Sequence, residues 1–118
     1  MKKLILIVED DEAIGEFIVQ VITEETPYQA TLLTNGKLAL HVLKALKPSL
    51  LLLDYRLPAM TGIQLYDLLC EMQALENIPV IIMSAHLPYQ ELQERQLPGI
   101  AKPFELDELF LAIEEHIA

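Results

Sequence analysis

"LLLLDYRLPAMTG", residues 50–62, decides the fold of this chain. Leu50 to Leu53 run without polar alternation, which marks a strand covered on both faces, as in a parallel sheet layered between helices. The run stops at Asp54, and the passage from Tyr55 to Gly62 carries turn formers, Pro58 and Gly62 among them. A carboxylate at the carboxyl end of a buried strand stands where open parallel sheets collect their ligands.

The same reading extends in both directions. "LILIV" at 4–8 is a second buried strand, closed by acidic residues 9–12, and "VIIM" at 80–83 is another, ending at Ser84. "YQATLL" at 28–33 alternates less cleanly and fits an outer strand, and Ile100 with Ala101 allows a minimal fifth. Between them, apolar residues at helical spacing predict helices over 12–24, 37–46, 63–72, 89–96 and 105–117. Pro88 and Pro98 bracket the fourth and keep it short. The expectation is an α/β fold: one doubly wound, five-stranded parallel sheet with right-handed crossovers and helices on both faces.

Composition limits the functions open to this fold. A chain of 118 residues with 53% hydrophobic residues builds one ordinary domain, here residues 1–118. Eighteen acidic residues against 8 basic ones leave a formal charge of -10. With the basic residues scattered, direct binding of nucleic acid or of an anionic membrane by this domain is not expected. The apolar runs are too short to span a bilayer and no secretory cleavage pattern follows the first, so a cytoplasmic protein is expected. The single cysteine, Cys70, excludes an intramolecular disulfide and reads as a buried reduced thiol.

Four features fall at strand ends: Glu9-Asp10-Asp11, Asp54, Ser84 and Lys102. Each alone has a plain explanation. Asp11 suits a helix cap, Asp54 an Asx turn, Ser84 a cap for the following short helix, and Lys102 a solvated surface charge. Together they point elsewhere, because carboxylates converging from neighbouring strand ends repel unless a cation shares them. Two or three carboxylates with a backbone carbonyl suit Mg2+, a hard ion that prefers oxygen ligands. A phosphoryl group on Asp54 would then need neutralising from several sides, which explains a hydroxyl and an ammonium on two further strands.

In this order and spacing, "LILIVEDD", "LLLLDYRLPAMTG", "PVIIMSA" and "KPF" resemble the receiver domain of two-component response regulators, the CheY-like family, over essentially the whole chain. The resemblance implies a flavodoxin-like fold with strand order 2-1-3-4-5. It implies a phosphorelay function in which Asp54 takes a phosphoryl group from a sensor histidine kinase or a histidine phosphotransfer protein and switches an output partner, fused or separate. It also assigns roles: Asp10 and Asp54 as Mg2+ ligands, Glu9 acting mainly through a bound water, the Arg56 carbonyl completing the metal site, Ser84 bonding the phosphoryl group, and Lys102 pairing with it. By position, Arg56 and His86 lie near the route of attacking water and would tune phosphate lifetime. The Lys102–Pro103 bond would be cis.

The sequence departs from the family at two places. The position three residues before Lys102, commonly an aromatic whose rotation reports phosphorylation, is Gly99, and the stretch from Ser84 to Lys102 is shorter than usual. Tyr89 is a candidate replacement for the missing ring. A receiver-like interaction domain independent of phosphate is therefore the alternative function. A hydrolase using an aspartyl-phosphate is disfavoured because Arg56 stands where the large phosphatase family resembling that pattern has its acid-base aspartate. A dinucleotide site is disfavoured because no glycine-rich fingerprint follows the first strand.

Overall fold

The computed structural model describes residues 2–118, and its chain runs β1 (Leu4–Val8), α1 (Glu12–Glu25), β2 (Gln29–Leu33), α2 (Gly36–Val42), β3 (Leu50–Asp54), β4 (Arg56–Leu57), β5 (Met60–Thr61), α3 (Gly62–Glu71), β6 (Val80–Ser84), α4 (Tyr89–Arg95), β7 (Gly99–Ala101) and α5 (Leu106–His116). Five strands form one parallel sheet in the order β2-β1-β3-β6-β7, which is 2-1-3-4-5 when only sheet strands are counted. The fold is the flavodoxin-like receiver fold.

The leucine run shows why both faces must be covered. Leu51 and Leu53 pack into the core under α2, α3 and α4, with Ala39, Ile63, Leu65, Leu69 and Leu92. Leu50 and Leu52 pack into the opposite core under α1 and α5, with Ile18, Ile22, Leu109 and Ile113. All four leucines are fully buried, so alternate residues of one apolar run supply two separate cores.

Helix starts follow local chemistry. The Asp11 side chain accepts from the Ile14 amide at 3.1 Å and caps α1, as expected of that aspartate. Asn35 caps α2 through the Leu38 amide at 2.8 Å, and Thr61 with Gln64 forms a capping box on α3.

Several expectations are corrected. The helix expected over 37–46 ends at Val42, and Lys47 Nζ satisfies the Leu43 carbonyl at 3.0 Å in its last turns. The passage after Asp54 is not loop alone, since β4 and β5 pair as a small antiparallel hairpin with Ala59 at its turn in the left-handed region, φ 69°. Ser84 caps no helix, because Pro88 takes the cap position of α4 without a side-chain bond. Cys70 is exposed rather than buried. In α3, Leu65 and Leu69 share the inward stripe, and the next residue after Leu69 is turned about 100° away from it. The fourth helix is short, as its flanking prolines imply, and the fifth strand gains Gly99.

Candidate functional site

Register builds the site. Val8 pairs with Leu53 across β1 and β3, so the next residues, Glu9 and Asp54, emerge side by side at the carboxyl ends. Asp10 follows at once. Carboxylate oxygens of Glu9, Asp10 and Asp54 all lie within 4.8 Å of one another. Glu9 and Asp54 are buried at 1% and 5% exposure, and Asp10 is open to solvent.

Lys102 reaches this cluster from the far edge strand. Its amide donates to the Ser84 carbonyl at 2.9 Å and its bond to Pro103 is cis. Its ammonium donates to Glu9 Oε1 and, at 3.0 Å, to Asp54 Oδ1. One cation thereby serves two carboxylates that would otherwise stand unneutralised in a buried place.

Ionisation follows from these contacts. Burial pushes the Glu9 carboxyl up to about 7, with the Asp54 charge adding to the rise and the hydrogen bond from Lys102 opposing it. For Lys102 burial works against the charge, but its bonds to Glu9 and Asp54 outweigh that and raise its pKa. The ammonium therefore stays charged. Three carboxylates against one ammonium leave an excess of negative charge, and their oxygen-only donor set suits a hard divalent cation.

Ser84, buried at 5% exposure, lies one residue beyond Met83, the register partner of Asp54. Its hydroxyl donates to the His86 carbonyl at 2.8 Å and accepts from the His86 amide at 3.1 Å, so it is occupied by its own loop. The Arg56 and His86 side chains are exposed, Arg56 on the hairpin and His86 on the loop after β6. Gly62 is pressed against the end of β3: its amide donates to the Tyr55 carbonyl at 2.6 Å, and an added Cβ would collide with the Asp54 carbonyl oxygen.

Two findings concern the absent aromatic. Tyr89 is 73% exposed and does not replace it. Above Gly99, where a side chain would begin, stand Leu87 and Leu92. Sequence reading also missed Tyr55, whose ring packs on the core and whose hydroxyl donates to Glu91 Oε1 on α4 at 3.1 Å. Its position directly after Asp54 was the only available signal, and nothing local in the sequence pairs it with Glu91.

The family model described as "Response regulator receiver domain" matches residues 5–114. The chain belongs to this family. Among curated proteins, this receiver is 36% identical to sporulation initiation phosphotransferase F of Bacillus subtilis over 99% of its own length and 95% of the relative's. It is 32% identical to the regulatory protein AtoC of Escherichia coli over 93% of its length, but spans only 24% of that protein. Among solved structures, response regulator TrrA of Thermotoga maritima, in complex with Mg2+-BeF, superposes with a TM-score of 0.85 at 24% identity, covering 98% of this chain and 99% of that one. At that identity the likeness shows the fold. The cluster of Glu9, Asp10 and Asp54 is consistent with the Mg-dependent phosphoaccepting aspartate site typical of receiver domains. Among the described residues no helix is long and apolar enough to cross a membrane.

Proposed function

We propose that residues 1–118 act as one phosphoacceptor receiver, in which Asp54 takes a phosphoryl group from a phosphohistidine of a sensor kinase or phosphotransfer protein and thereby switches an output partner. One observation carries the reading: the Lys102 ammonium is held over Asp54 at 3.0 Å beside three clustered carboxylates. A lone surface lysine would have no reason to be there.

The chemistry is a displacement at phosphorus. An Asp54 carboxylate oxygen attacks, the P–N bond of the donor breaks, and its electron pair returns to the imidazole, which takes up a proton. Glu9, Asp10, Asp54 and the Arg56 carbonyl would hold Mg2+, which when bound neutralises charge on phosphoryl oxygens. Lys102 offsets charge from its own side, and the Ser84 hydroxyl is the nearby neutral donor. Hydrolysis returns the carboxylate when water attacks the same phosphorus. Arg56 and His86, both exposed at the rim, tune that step; equal phosphate lifetimes in the wild type and an Arg56→Ala, His86→Ala double variant would refute the tuning role.

The experiment is incubation with acetyl phosphate and Mg2+, followed by intact mass, with Asp54→Asn as control. A Mg2+-dependent addition of one phosphoryl group to the wild type alone is expected. No addition, or equal addition to Asp54→Asn, sinks the reading and leaves phosphate-independent binding as the function.

A further inference from the structure

Gly99 pairs with Ile82 and Ala101 with Ser84, so all four residues share the sheet face that α4 covers. A Cβ at Gly99 would lie 2.8 Å from Leu87 Cδ2 and 2.8 Å from Leu92 Cδ1. Two leucines thus occupy the space over this glycine, and no side chain larger than hydrogen fits while they stay. Leu92 is a buried residue of α4, whereas Leu87 belongs to the loop between β6 and α4 and is only half-buried.

The Ser84 hydroxyl is one fastening of that loop, donating to the His86 carbonyl and accepting from the His86 amide. Ser84 Oγ donates its proton to the His86 carbonyl, the peptide immediately before Leu87, and the Leu87 carbonyl in turn accepts from Tyr89 at the start of α4 at 2.9 Å. A serine has one proton to donate. An anionic phosphoryl oxygen makes a hydrogen bond roughly twice as strong as a neutral carbonyl does. With Asp54 phosphorylated, turning that proton from the His86 carbonyl to the phosphoryl group would free the carbonyl and loosen the peptide that leads into Leu87, while the His86 amide can keep its bond to Ser84 Oγ.

The rest of α4 is fastened elsewhere. Tyr55 holds Glu91, and Arg95 grips Asp67 of α3 with two bonds of 2.8 Å. Release at Ser84 leaves those contacts in place, so Leu87 and the entry to α4 are the parts free to move.

We infer that Leu87 is the side chain through which this receiver reports phosphorylation: seated over Gly99 when Ser84 bonds His86, it leaves that seat when Ser84 turns to the phosphoryl group, and the entry to α4 repacks against Leu92. The inference rests on the phosphoacceptor reading and extends it by naming the residue that carries the signal.

The test is the amide NMR spectrum of the full chain titrated with beryllofluoride and Mg2+. In the wild type, amides beside Asp54 and those of 87–96 shift together, and neither set shifts in Asp54→Asn. In Leu87→Ala, the amides beside Asp54 saturate at the same beryllofluoride concentration while shifts over 89–96 fall about threefold or more. Leu87→Met restores them. Gly99→Ala, whose methyl unseats Leu87, moves amides 87–92 toward their saturated positions before any beryllofluoride is added. Wild-type shifts over 89–96 in Leu87→Ala, an unchanged Gly99→Ala spectrum, or silence over 87–96 while Asp54's neighbours respond each overturn the role of Leu87 alone. Silence beside Asp54 in the wild type removes the phosphoacceptor reading, and this inference with it.

Discussion

Lys102 Nζ donates to Asp54 Oδ1 at 3.0 Å across 48 residues of chain, and the same ammonium donates to Glu9 from the next strand over. With the Lys102 side chain at 19% exposure and those of Glu9 and Asp54 at 2% and 8%, the three groups are largely withdrawn from water. Removing the cation strands two carboxylates together. Lys102→Met should cost the metal-free protein about 3 kcal/mol, the low end of the range for breaking a buried pair. Urea unfolding with and without Mg2+ checks this, and Mg2+ should recover part of the loss. A metal-free variant as stable as the wild type would show the ion pair to be inconsequential.

Glu9 makes metal-free stability depend on pH. Its folded pKa, about 7, exceeds its ordinary value of 4.5 because burial disfavours the charge. Between those values the folded protein keeps a proton that the unfolded chain has lost, so this contribution is complete below the lower value and disappears as pH rises through the upper one. Mg2+ requires the carboxylate and reverses the balance. The rise in Tm produced by Mg2+ should be larger at about pH 8 than at about pH 6, and the difference should shrink in Glu9→Gln. Melting curves at both pH values decide; a Mg2+ effect indifferent to pH counts against this account.

Gly62→Ala tests how tightly the end of β3 is enclosed. The added methyl meets the Asp54 carbonyl oxygen and the Tyr55 Cα, both backbone atoms that cannot rotate away. The variant should lose about 2–3 kcal/mol, as overpacking against backbone does. It should also take phosphate from acetyl phosphate about tenfold more slowly or worse, since small displacements of a nucleophile are expensive. Unfolding curves and the rate of mass gain separate the two effects.

Arg95 and Asp67 tie α4 to α3 through two bonds of 2.8 Å. The hydrogen bond from Arg95 holds the Asp67 carboxyl below its ordinary value of 3.8. Asp67 is about half exposed, so Arg95→Met should cost only about 0.5–1 kcal/mol at neutral pH. A depressed acid contributes above its unfolded pKa and stops contributing as pH falls through its folded one. The penalty should therefore shrink as pH falls from neutral to well below that ordinary value and Asp67 takes up its proton in the folded state too. Equal penalties at both pH values in urea titrations would assign the effect to lost packing of the arginine stem instead.

The candidate site was legible where its cause was local. Asp54, Ser84 and Lys102 end apolar runs, and a chain that buries such runs in a parallel sheet has to expose their carboxyl ends together. Gly62 was legible as a turn former for a similar reason, lying at the end of the turn after Asp54, and its close approach to the Asp54 carbonyl emerged only in the structure. Cys70 was misread because apolar spacing identifies a stripe without giving its edges, and it falls one residue past the buried Leu69. Tyr55 and Leu87 were missed because their partners, Glu91 and Gly99, are remote in sequence and bear no pattern that points back to them.

The sequence by itself determined the layered α/β class, the strands, and the carboxylates, hydroxyl and ammonium at their ends, because side-chain periodicity and turn chemistry act over a few neighbouring residues. Only the tertiary structure decided that Lys102 is shared by Glu9 and Asp54, that Ser84 is bound to its own loop, and that two leucines stand where the family places a ring. Those contacts depend on how helices settle on the finished sheet, where volume and hydrogen-bond capacity are allotted among residues that the chain itself keeps apart.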